Sequence, residues 1–548
     1  MASRRIIGAS LGNCVHVAGV QHFLAQAEDE GWTVKYLGPA VPVAALIEQV
    51  RAFDPDVVAV GYRLTPENVV PLIEKLRDMS ATLARQPHWL FGGTRPVAER
   101  VREMGFFDTI YDGREDLDDC IAFLRGSEKS GAEQKTSGTL LERLAQKYPY
   151  PLLRHHFGLP TLADTVLGIE AIAQSKVLDV ISLGIDQNTQ QYFFHPELRD
   201  PAMDGAGGVP VANADQFRLL KRAACAGNWP LMRCYSGTAD VVPFGEMLLD
   251  TIDNAWCATS LCWFNRLDGR GTRTIREGMA DAQQLMRLHA QRGVPVEMNE
   301  PHHWGLRDAP DVISVAMAYI SAYNAKRAGV KTYIAQYMFN VPGAMSFQMD
   351  LAKALAMAEL AESLADADFT LYRQTRAGLP FMSGDLDLAK GQLAASTYLQ
   401  MALKPHIIHV VGYSEAEHAA TPSVIIESCK IVRGVIRSVL KGGVDQACDP
   451  VVQARKAQLI SEARVLIQFI ESTYAGQSSD PLCDPSVIED AIERGILDAP
   501  HILKGGLFRG NLKTRMVDGR CVAWDSARGR ELCESERLGR LEEGDVCP

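Results

Sequence analysis

A histidine in a glycine-bounded loop is the first candidate for chemistry along this chain. The loop, residues 12–19, lies between an apolar segment that predicts a strand, Arg5–Ser10, and a segment with helical spacing, Val17–Glu30. The neutral imidazole of His16 can ligate a metal ion, and Gly19 lets a large flat ligand approach the backbone. The pattern His-x-x-Gly is weak by itself, because a solvated histidine beside an ordinary turn glycine produces it as well.

A second group of polar residues follows another predicted strand, Val296–Asn299. Glu300, His302 and His303 come directly after it, where they could serve acid–base chemistry or hydrogen bonding. Adjacent histidines on a strand point to opposite sides, so we do not expect both to bind one metal ion. We take Glu300 and His302 as catalytic candidates, with a structural or solvated role as the alternative for His303.

Two arginines form a third candidate group. Arg266 and Arg270 lie in the glycine-containing residues 265–271, just after the predicted strand Thr259–Phe264. A guanidinium group binds a carboxylate through a planar pair of donors, and the glycines let a ligand approach the backbone. These arginines are therefore the anion-binding candidates, although a surface loop accounts for them equally well.

These candidates need elements that position them, and residues 1–126 alternate predicted strands with predicted helices. Such alternation indicates an α/β domain with a parallel, Rossmann-like (flavodoxin-like) sheet covered on both faces. Ligands bind at the carboxyl ends of the strands in such sheets. The loops to consider are therefore residues 11–19, 61–68 and 92–96, and residues 127–149 predict a polar linker.

Residues 150–440 repeat a strand–loop–helix rhythm, which predicts a (β/α)8 TIM barrel with its active site at the carboxyl ends of the strands. His155 and His156, at the entry to this region, have no evident partner and are taken as structural. Residues 441–548 predict an α+β accessory region that contains a hairpin around Asp518-Gly519. The predicted barrel strands are Val180–Leu183, Leu231–Tyr235, Thr259–Phe264, Val296–Asn299, Thr332–Tyr337, Phe369–Tyr372 and His406–Val411.

Composition narrows the class of function. The 548 residues carry 67 acidic and 56 basic side chains, a formal net charge of −11. This balance argues against a nucleic-acid binder that neutralises phosphates and favours a small-molecule partner. We expect a cytoplasmic protein, because no apolar run predicts a membrane span and the N-terminus lacks a signal-peptide pattern. The 12 cysteines include no Cys-x-x-Cys pair, so a zinc knuckle or a thioredoxin-type motif is unsupported.

Three loops of the first domain, taken in order, resemble the cobalamin-binding domain of B12-dependent mutases and methyltransferases. That family carries Asp-x-His-x-x-Gly, then Ser-x-Leu, then Gly-Gly. The resemblance implies that His16 replaces the cofactor's own dimethylbenzimidazole as the lower cobalt ligand. It implies cofactor contacts by Asn13, Cys14, Val15, His16, Val17, Gly19, Tyr62, Arg63, Leu64, Gly92, Gly93 and Thr94.

Two positions depart from the family pattern. Cys14 stands where the family has Asp, and Tyr62 stands where it has Ser. A carboxylate partner orients a metal-bound imidazole and raises its basicity, whereas a thiol is a weak hydrogen-bonding group. We therefore expect either that His16 ligates cobalt more weakly or that Asn13 supplies the missing contact.

Most of residues 175–435 resembles, in order, the barrel subunit of glutamate mutase, an adenosylcobalamin-dependent enzyme. The resemblance implies a radical rearrangement started by adenosylcobalamin inside a barrel that excludes water. It also implies that Gly237 lies near the adenosyl group and that Glu417 binds the ribose hydroxyls, while Tyr413 stands where the family has Lys. The matching stretches are residues 185–190, 236–240, 293–295, 299–301, 328–331 and 414–417.

The substrate side of the barrel departs further from glutamate mutase. Gln190 and Tyr235 stand where the family has arginines that hold its dicarboxylate, with Arg233 two residues before the second position. The family's catalytic Glu falls near Thr259 or Ser260. The resemblance therefore implies a small carboxylic or amino acid other than glutamate, and Arg233 and Tyr235 join the catalytic candidates. The substrate-binding candidates are Gln190, Ser260, Arg266 and Arg270.

We expect an adenosylcobalamin-dependent mutase in which the two subunits of glutamate mutase are fused in one chain. A corrinoid-dependent methyltransferase is the first alternative, because that class also joins such a domain to a barrel. A non-catalytic corrinoid-binding protein is the second, since it would explain Cys14 and the lost arginines. Glu417 and the barrel resemblance favour the mutase. We also expect a homodimer and, as the resemblance implies, a chaperone that reactivates the enzyme.

Overall fold

The computed structural model of the protein describes residues 4–115, 117–126, 138–504, 507–508 and 510–542. The chain forms two compact units, residues 1–134 and 135–548, and the boundary lies inside the predicted linker. Some predicted segments include positions outside the described ranges. These are residues 1–3 and Asp116 of the first domain, residues 127–137 of the linker, and residues 505–506, 509 and 543–548 of the accessory region.

The first unit alternates strands and helices, as predicted. Its elements are β1 Arg5–Ser10, α1 Ala18–Asp29, β2 Thr33–Tyr36, α2 Val43–Phe53, β3 Val57–Tyr62, α3 Pro66–Ser80, β4 His88–Gly93, α4 Arg95–Glu103, β5 Thr109–Tyr111 and α5 Leu117–Arg125. The strands form one parallel sheet in the order β2-β1-β3-β4-β5. Every residue of β3 is buried, as expected for a parallel strand covered on both faces. The flavodoxin-like sheet is confirmed, and the loops after β1, β3 and β4 lie at its carboxyl edge.

The second unit contains a barrel of parallel strands, which confirms the predicted fold. Its elements are α6 Leu140–Lys147, β6 Leu152–Phe157, α7 Leu162–Gln174, β7 Val180–Leu183, α8 Gln187–Tyr192, α9 Ala214–Ala223, β8 Leu231–Cys234, α10 Val241–Ile252, β9 Cys257–Thr259, α11 Ile275–Gln291, β10 Val296–Met298, α12 Glu300–Gly305, α13 Asp311–Arg327, β11 Thr332–Phe339, α14 Phe347–Glu362, β12 Thr370–Ala377, α15 Leu386–Met401, β13 Ile407–His409 and α16 Pro422–Leu440. Hydrogen-bonded ladders run in the order β8-β7-β6-β13-β12-β11-β10-β9. Between the end strands β8 and β9, the Ala255 N–H donates to Met232 O at 2.9 Å, so the barrel is nearly closed.

Two strand predictions were wrong. The first barrel strand, β6, was missed because its centre is polar: Arg154, His155 and His156 lie within it, and the first two are buried. The predicted strand Thr259–Phe264 is also wrong, because β9 ends at its first residue and the rest forms a loop. Leu261, Cys262 and Trp263 of that loop are buried, so burial in a loop produced the apolar run that resembled a strand.

The two adjacent histidines lie on helix α12, which begins directly after Asn299, and not on a strand. Successive residues on a helix are turned by about 100°, so the expectation that neighbouring histidines face opposite sides does not hold here. The rings of His302 and His303 lie 4.4 Å apart between centroids, and both are buried.

The C-terminal region packs on the barrel within the same unit. Its elements are α17 Pro450–Tyr474, α18 Pro485–Glu493, β14 Leu503–Lys504, β15 Leu507–Phe508, β16 Thr514–Val517, β17 Arg520–Asp525, β18 Arg530–Glu531 and α19 Glu534–Glu542. The last three strands form a small antiparallel sheet, which includes the predicted hairpin. A buried ion pair ties α17 to the barrel, because Arg455 Nη2 donates to Asp311 Oδ2 at 3.1 Å. No helix in the described part of the chain is long and apolar enough to cross a membrane.

Candidate functional site

The loop after β1 presents His16 to solvent at the carboxyl edge of the first sheet. Gly12 turns the chain with a φ of +67°, and an added Cβ would lie 2.5 Å from Leu72 Cδ1. Ser10 Oγ donates to the carbonyl oxygen of His16 at 2.7 Å, which fixes the backbone of the loop. The side chain of His16 is exposed, so the imidazole is accessible to a ligand.

Cys14 makes the side-chain contact to this imidazole. Its Sγ lies 3.7 Å from Nδ1 of His16 and accepts a hydrogen bond from the Arg63 N–H at 3.3 Å. Asn13, the alternative partner, is engaged elsewhere, because its Oδ1 accepts from the Tyr62 hydroxyl at 3.3 Å. Cys14 therefore occupies the place of the family carboxylate, and Nε2 of His16 is the nitrogen left for a metal.

Tyr62 holds the loop from the neighbouring strand. Its side chain is fully buried, and burial, together with the nearby Cys14, raises the pKa of its hydroxyl. It therefore stays a neutral donor to Asn13, a structural role at the position of the family Ser.

The glycines at this edge are of two kinds. An added Cβ at Gly19 or Gly92 would meet no atom within 4 Å, whereas at Gly93 it would lie 2.8 Å from the Tyr62 carbonyl oxygen. Gly93 is thus required by sheet packing, and the other two leave open space beside the backbone. Val15 is 64% exposed, which is unusual for an aliphatic side chain. The other predicted contacts vary in burial: Arg63 is exposed, and Val17, Leu64 and Thr94 are partly buried.

Open backbone, an exposed apolar side chain and an accessible imidazole suit a large, partly apolar ring ligand that is bound through a metal. The residues of the first unit therefore fit a corrinoid. No group of three His, Cys, Asp or Glu side chains within the described ranges is arranged to hold a metal ion by itself. Cobalt would thus depend on His16 and on the corrinoid ring.

In the second unit, the buried carboxylate of Glu297 on β10 organises the interior of the barrel. Its Oε2 accepts from Arg154 Nη1 at 2.8 Å and from Trp256 Nε1 at 2.5 Å. Its Oε1 accepts from Arg233 Nη2 at 3.1 Å. Burial opposes ionisation, but the charges of Arg233 and Arg154 outweigh it and lower the pKa of the carboxyl.

Hydrogen bonds lead from this ion cluster to His302. Arg154 Nη1 also donates to Gln374 Oε1 at 3.0 Å, and Gln374 Nε2 donates to Gln336 Oε1 at 2.8 Å. The amide of Gln336 therefore donates through Nε2 to Nδ1 of His302 at 3.0 Å. Because Nδ1 accepts, the neutral ring of His302 carries its proton on Nε2.

Glu300 is a clamp for the loop that follows β9. Its Oε2 accepts from Ser260 Oγ at 2.8 Å and from the N–H groups of Leu261 and Cys262 at 2.7 and 3.1 Å. Its Oε1 accepts from Trp304 Nε1 at 3.0 Å. Burial raises the pKa of Glu300 although these donors oppose the shift. The predicted catalytic acid and the predicted substrate-binding Ser260 are thus bonded to each other, and their oxygens are occupied.

The other catalytic candidates are Arg233 and Tyr235. They lie at a group of aromatic side chains, called the aromatic wall below, that consists of Tyr235, Trp263 and Phe264. Tyr235 donates from its hydroxyl to Asn299 Oδ1 at 3.2 Å, and its ring lies 5.0 Å from that of Phe264. The Phe264 ring in turn lies 5.5 Å from the ring of His303. Arg233 precedes Tyr235 by two residues, so both side chains project from the same side of the chain.

The two anion-binding candidates do not share a site. Arg270 stacks on Phe264 at 4.0 Å from the ring centroid and pairs with Asp268 at 2.5 Å. Arg266 is exposed, donates from Nε to the Thr272 carbonyl oxygen, and lines a separate depression beside α18. Of the two arginines, only Arg270 contacts the aromatic wall, through Phe264.

Gly237 and Gln190 serve the packing of two loops. Gly237 has a φ of +78°, and an added Cβ would lie 2.8 Å from the Gln190 carbonyl oxygen. The Gln190 side chain donates from Nε2 to the Ile185 carbonyl oxygen at 2.8 Å, within its own loop. This geometry explains the glycine without a ligand.

In the loop after β13, Glu415 is partly buried, whereas Glu417 is exposed. Glu417 contacts His418, and Tyr413 donates to Glu427 Oε2 at 2.6 Å. Glu415 Oε1 accepts from the Gly412 N–H at 2.7 Å and lies 3.3 Å from His155 Nε2. His155 thus has a partner that its sequence position did not suggest.

Sequence reasoning missed several of the barrel's central polar residues. They share one property, which is that each lies inside an otherwise apolar strand or directly at its end. A charged residue within a predicted barrel strand is the signal that could have found them. They are Arg154, His156, Glu297, Gln336, Gln374, Arg376 and His409.

Comparison with known proteins bears on the first unit. Residues 4–120 match the family of the B12 binding domain, so the chain carries a cobalamin-binding domain, and this match supports cobalamin as its cofactor. No curated protein matches the chain.

Among solved structures, the chain is similar to a novel cobalamin-binding protein from Desulfitobacterium hafniense DCB-2, with 23% identity over 23% of this chain and 59% of that chain and a TM-score of 0.18. It is similar to 2,3-dimethylmalate lyase, a PEP mutase/isocitrate lyase superfamily member. The identity is 11% over 60% of this chain and 96% of that chain, with a TM-score of 0.28. It is also similar to the radical S-adenosylmethionine methyltransferase TsrM from Kitasatospora setae. The identity is 13% over 68% of this chain and 73% of that chain, with a TM-score of 0.20. All three TM-scores are low, so the family match is the comparison that bears on the cofactor.

Proposed function

We propose that this protein is a cobalamin-dependent enzyme, and specifically an adenosylcobalamin-dependent mutase that acts on a small carboxylic or amino acid other than glutamate. The match of residues 4–120 to the B12 binding domain family, with His16 exposed in its loop, carries the proposal. The barrel supports an enzymatic role, because buried polar side chains converge at the carboxyl ends of its strands, where barrel enzymes have their active sites. A homodimer and a reactivating chaperone remain part of the proposal.

In the first unit, Nε2 of His16 would hold the cobalt while Cys14 orients the ring through Nδ1. Gly19 and Gly92 leave room for the corrinoid, and Val15 offers it an apolar contact. When bound, adenosylcobalamin supplies the radical that starts a carbon-skeleton rearrangement.

In the barrel, the aromatic wall and the buried histidines would enclose the substrate. Radical chemistry requires that water be excluded, and Trp263, Phe264 and Tyr235 provide apolar surface beside the polar groups. His302 is fixed by Gln336 as a donor through Nε2, so it can hydrogen bond to a substrate oxygen without changing its charge.

Corrinoid binding tests the first part of the proposal. Titration of the full-length protein with adenosylcobalamin should give the base-off, His-on absorbance spectrum. His16→Ala should abolish that spectrum and weaken binding by about tenfold or more, whereas His22→Ala, an exposed histidine on α1, should match the wild type. Absence of corrinoid binding, or an unchanged spectrum in His16→Ala, would refute the proposal.

Turnover separates the mutase from its alternatives. The protein loaded with adenosylcobalamin should give an electron paramagnetic resonance radical signal and an isomerised product with one of a panel of small acids. Methyl transfer from methylcobalamin, with no need for the adenosyl group, would favour the methyltransferase. Corrinoid binding without either activity would favour a non-catalytic binding protein.

A further inference from the structure

Arg233 carries buried donors that the fold leaves unused. Its Nη2 donates to Glu297, whereas Nε and Nη1 have no hydrogen-bond partner among the described residues. The residue is 1% exposed, so bulk water does not satisfy these donors. A buried charged donor without a partner is destabilising, which indicates a position kept for a ligand.

Arg376 on β12 is a second arginine with unused donors, but its side chain is only partly buried. It follows Gln374 by two positions, and because strand side chains alternate, it projects to the same side as Gln374, into the barrel and nearer its carboxyl end. Its Nε donates to the Ala377 carbonyl oxygen at 3.3 Å, and no residue in the described ranges accepts from its terminal nitrogens. Burial lowers its pKa, and the charges acting on it include Glu415, Glu297 and Arg233.

The charges inside this end of the barrel do not balance. The inner ionic groups are Arg154, Arg233, Arg376, Glu297 and Glu415. Among the residues that the structure describes, three guanidinium groups thus face two carboxylates at this end of the barrel. Both carboxylates are already engaged by donors of the protein, so at least one positive charge has no counter-ion.

The surrounding ionic groups do not remove this surplus. Asp268 pairs with Arg270 at 2.5 Å and lies 3.7 Å from Arg307, and the charge of Glu300 also acts on Arg307. The positive charges of Arg270 and Arg307 are therefore balanced by the negative charges of Asp268 and Glu300.

Four histidines near these arginines add no charge. Burial first, and then the nearby charged side chains, hold the pKa of each well below its usual range. One of them, His303, has no hydrogen-bond partner at either ring nitrogen among the described residues, so it can both donate to and accept from a ligand. The four are His156, His302, His303 and His409.

We propose that a single carboxylate binds between Arg233 and Arg376, and that the substrate is a small monocarboxylate without an ammonium group, whose second polar group meets His303. A second carboxylate would bring a charge that no unpaired guanidinium group remains to neutralise, and an ammonium group would restore the surplus. The catalytic meaning of this inference rests on the proposed function, but the binding of the acid does not.

Acid binding by the full-length protein without cobalamin tests the inference. Isothermal titration calorimetry with butanoate, 3-hydroxybutanoate, 3-aminobutanoate, succinate and inorganic phosphate should show saturable binding of the first two. Each should bind about tenfold or more tightly than the other three. Arg376→Gln should weaken 3-hydroxybutanoate by about tenfold or more, and Arg376→Lys should restore part of it.

Two controls keep the outcome clear. Arg292→Gln removes an exposed arginine at the C-terminal end of α11 and should bind the acids as the wild type does. His303→Phe should weaken 3-hydroxybutanoate more than butanoate, because only the former offers a hydroxyl. Equal binding of succinate and butanoate, no saturable binding of any acid, or unchanged binding in Arg376→Gln would overturn the inference.

The inference and the proposed function can fail separately. Monocarboxylate binding that depends on Arg376, in a protein that binds no corrinoid, would leave the inference standing and remove the proposed function. A His-on corrinoid spectrum in a protein whose acid binding ignores Arg376 would do the reverse.

Discussion

The two candidate sites are built in opposite ways. In the first unit, the polar groups lie on one loop and the start of the next, His16 is exposed, and the fold does not depend on it. In the barrel, the groups come from distant strands and hold one another, as with Glu297 and Arg154, which are 143 residues apart. Ligand binding and folding should therefore be separable by mutation in the first unit and tied together in the barrel.

Glu297→Gln tests the barrel side of this comparison, and we expect it to have the largest effect on stability. The change keeps the shape of the side chain but leaves Arg154 and Arg233 as buried charges without a counter-ion. We expect the free energy of unfolding to fall by ~3–5 kcal/mol, measured by urea denaturation of the full chain.

Two matched variants complete that measurement. Glu99→Gln removes one carboxylate of an exposed pair with Arg95 on α4, and it should cost less than ~0.5 kcal/mol. His16→Ala should change stability by no more than ~0.5 kcal/mol although it abolishes His-on binding. A loss below about 1 kcal/mol for Glu297→Gln would show that the cluster does not organise the barrel.

The same difference explains what the sequence could predict. His16, Cys14 and Gly19 are contiguous, so their spacing is visible in the chain, and the apolar strands around them are long enough to give the sheet. Most of the barrel strands were also visible, because buried parallel strands are near-continuous apolar runs.

The barrel's site could not be predicted in this way, because its residues meet only after the strands close. Strand β6 was missed since Arg154 interrupts its apolar pattern, and that same arginine is a centre of the network. Glu300 has the residue type of a catalytic acid, but only the fold shows that its oxygens hold the loop at residues 260–262. Arg266 and Arg270 share one glycine-containing segment, yet they face different surroundings.

Glu300→Gln distinguishes a clamp from a catalytic acid. In either orientation of the amide, its nitrogen replaces one oxygen and cannot accept from Trp304 Nε1 or from the N–H groups of Leu261 and Cys262, so at least one buried donor loses its partner. We expect the free energy of unfolding to fall by ~2–3 kcal/mol, and Ser260→Ala, which removes one donor only, to cost ~1 kcal/mol. Full stability with lost turnover in Glu300→Gln would instead identify a catalytic acid.

Gly93→Ala and Gly92→Ala test the comparison within the first unit. The Cβ at residue 93 would press on the Tyr62 carbonyl oxygen and should cost ~1–3 kcal/mol of stability. The Cβ at residue 92 enters open space, so it should leave the unfolding transition unchanged and weaken corrinoid binding. Equal effects of both variants on stability would contradict the division of these glycines into packing and ligand positions.

Cys14→Asp tests the first unit, and we expect it to have the smallest effect of these variants, a change in corrinoid affinity. Residue 14 is buried between the Arg63 N–H and Nδ1 of His16, and a carboxylate there would accept from both, whereas the thiol is a weak acceptor. We expect corrinoid affinity to rise by about tenfold, which is ~1.4 kcal/mol, with a larger His-on fraction in the absorbance spectrum.

Cys14→Ala and Cys14→Ser set the scale for that change. Alanine removes the contact to His16 and should lower the affinity below that of the wild type, while serine should stay between alanine and aspartate because a hydroxyl accepts hydrogen bonds but carries no charge. If the wild type and the three Cys14 variants bind corrinoid equally, residue 14 does not orient the imidazole of His16. The exposed loop would then set the imidazole by its backbone alone, through the bond from Ser10 Oγ to the His16 carbonyl oxygen.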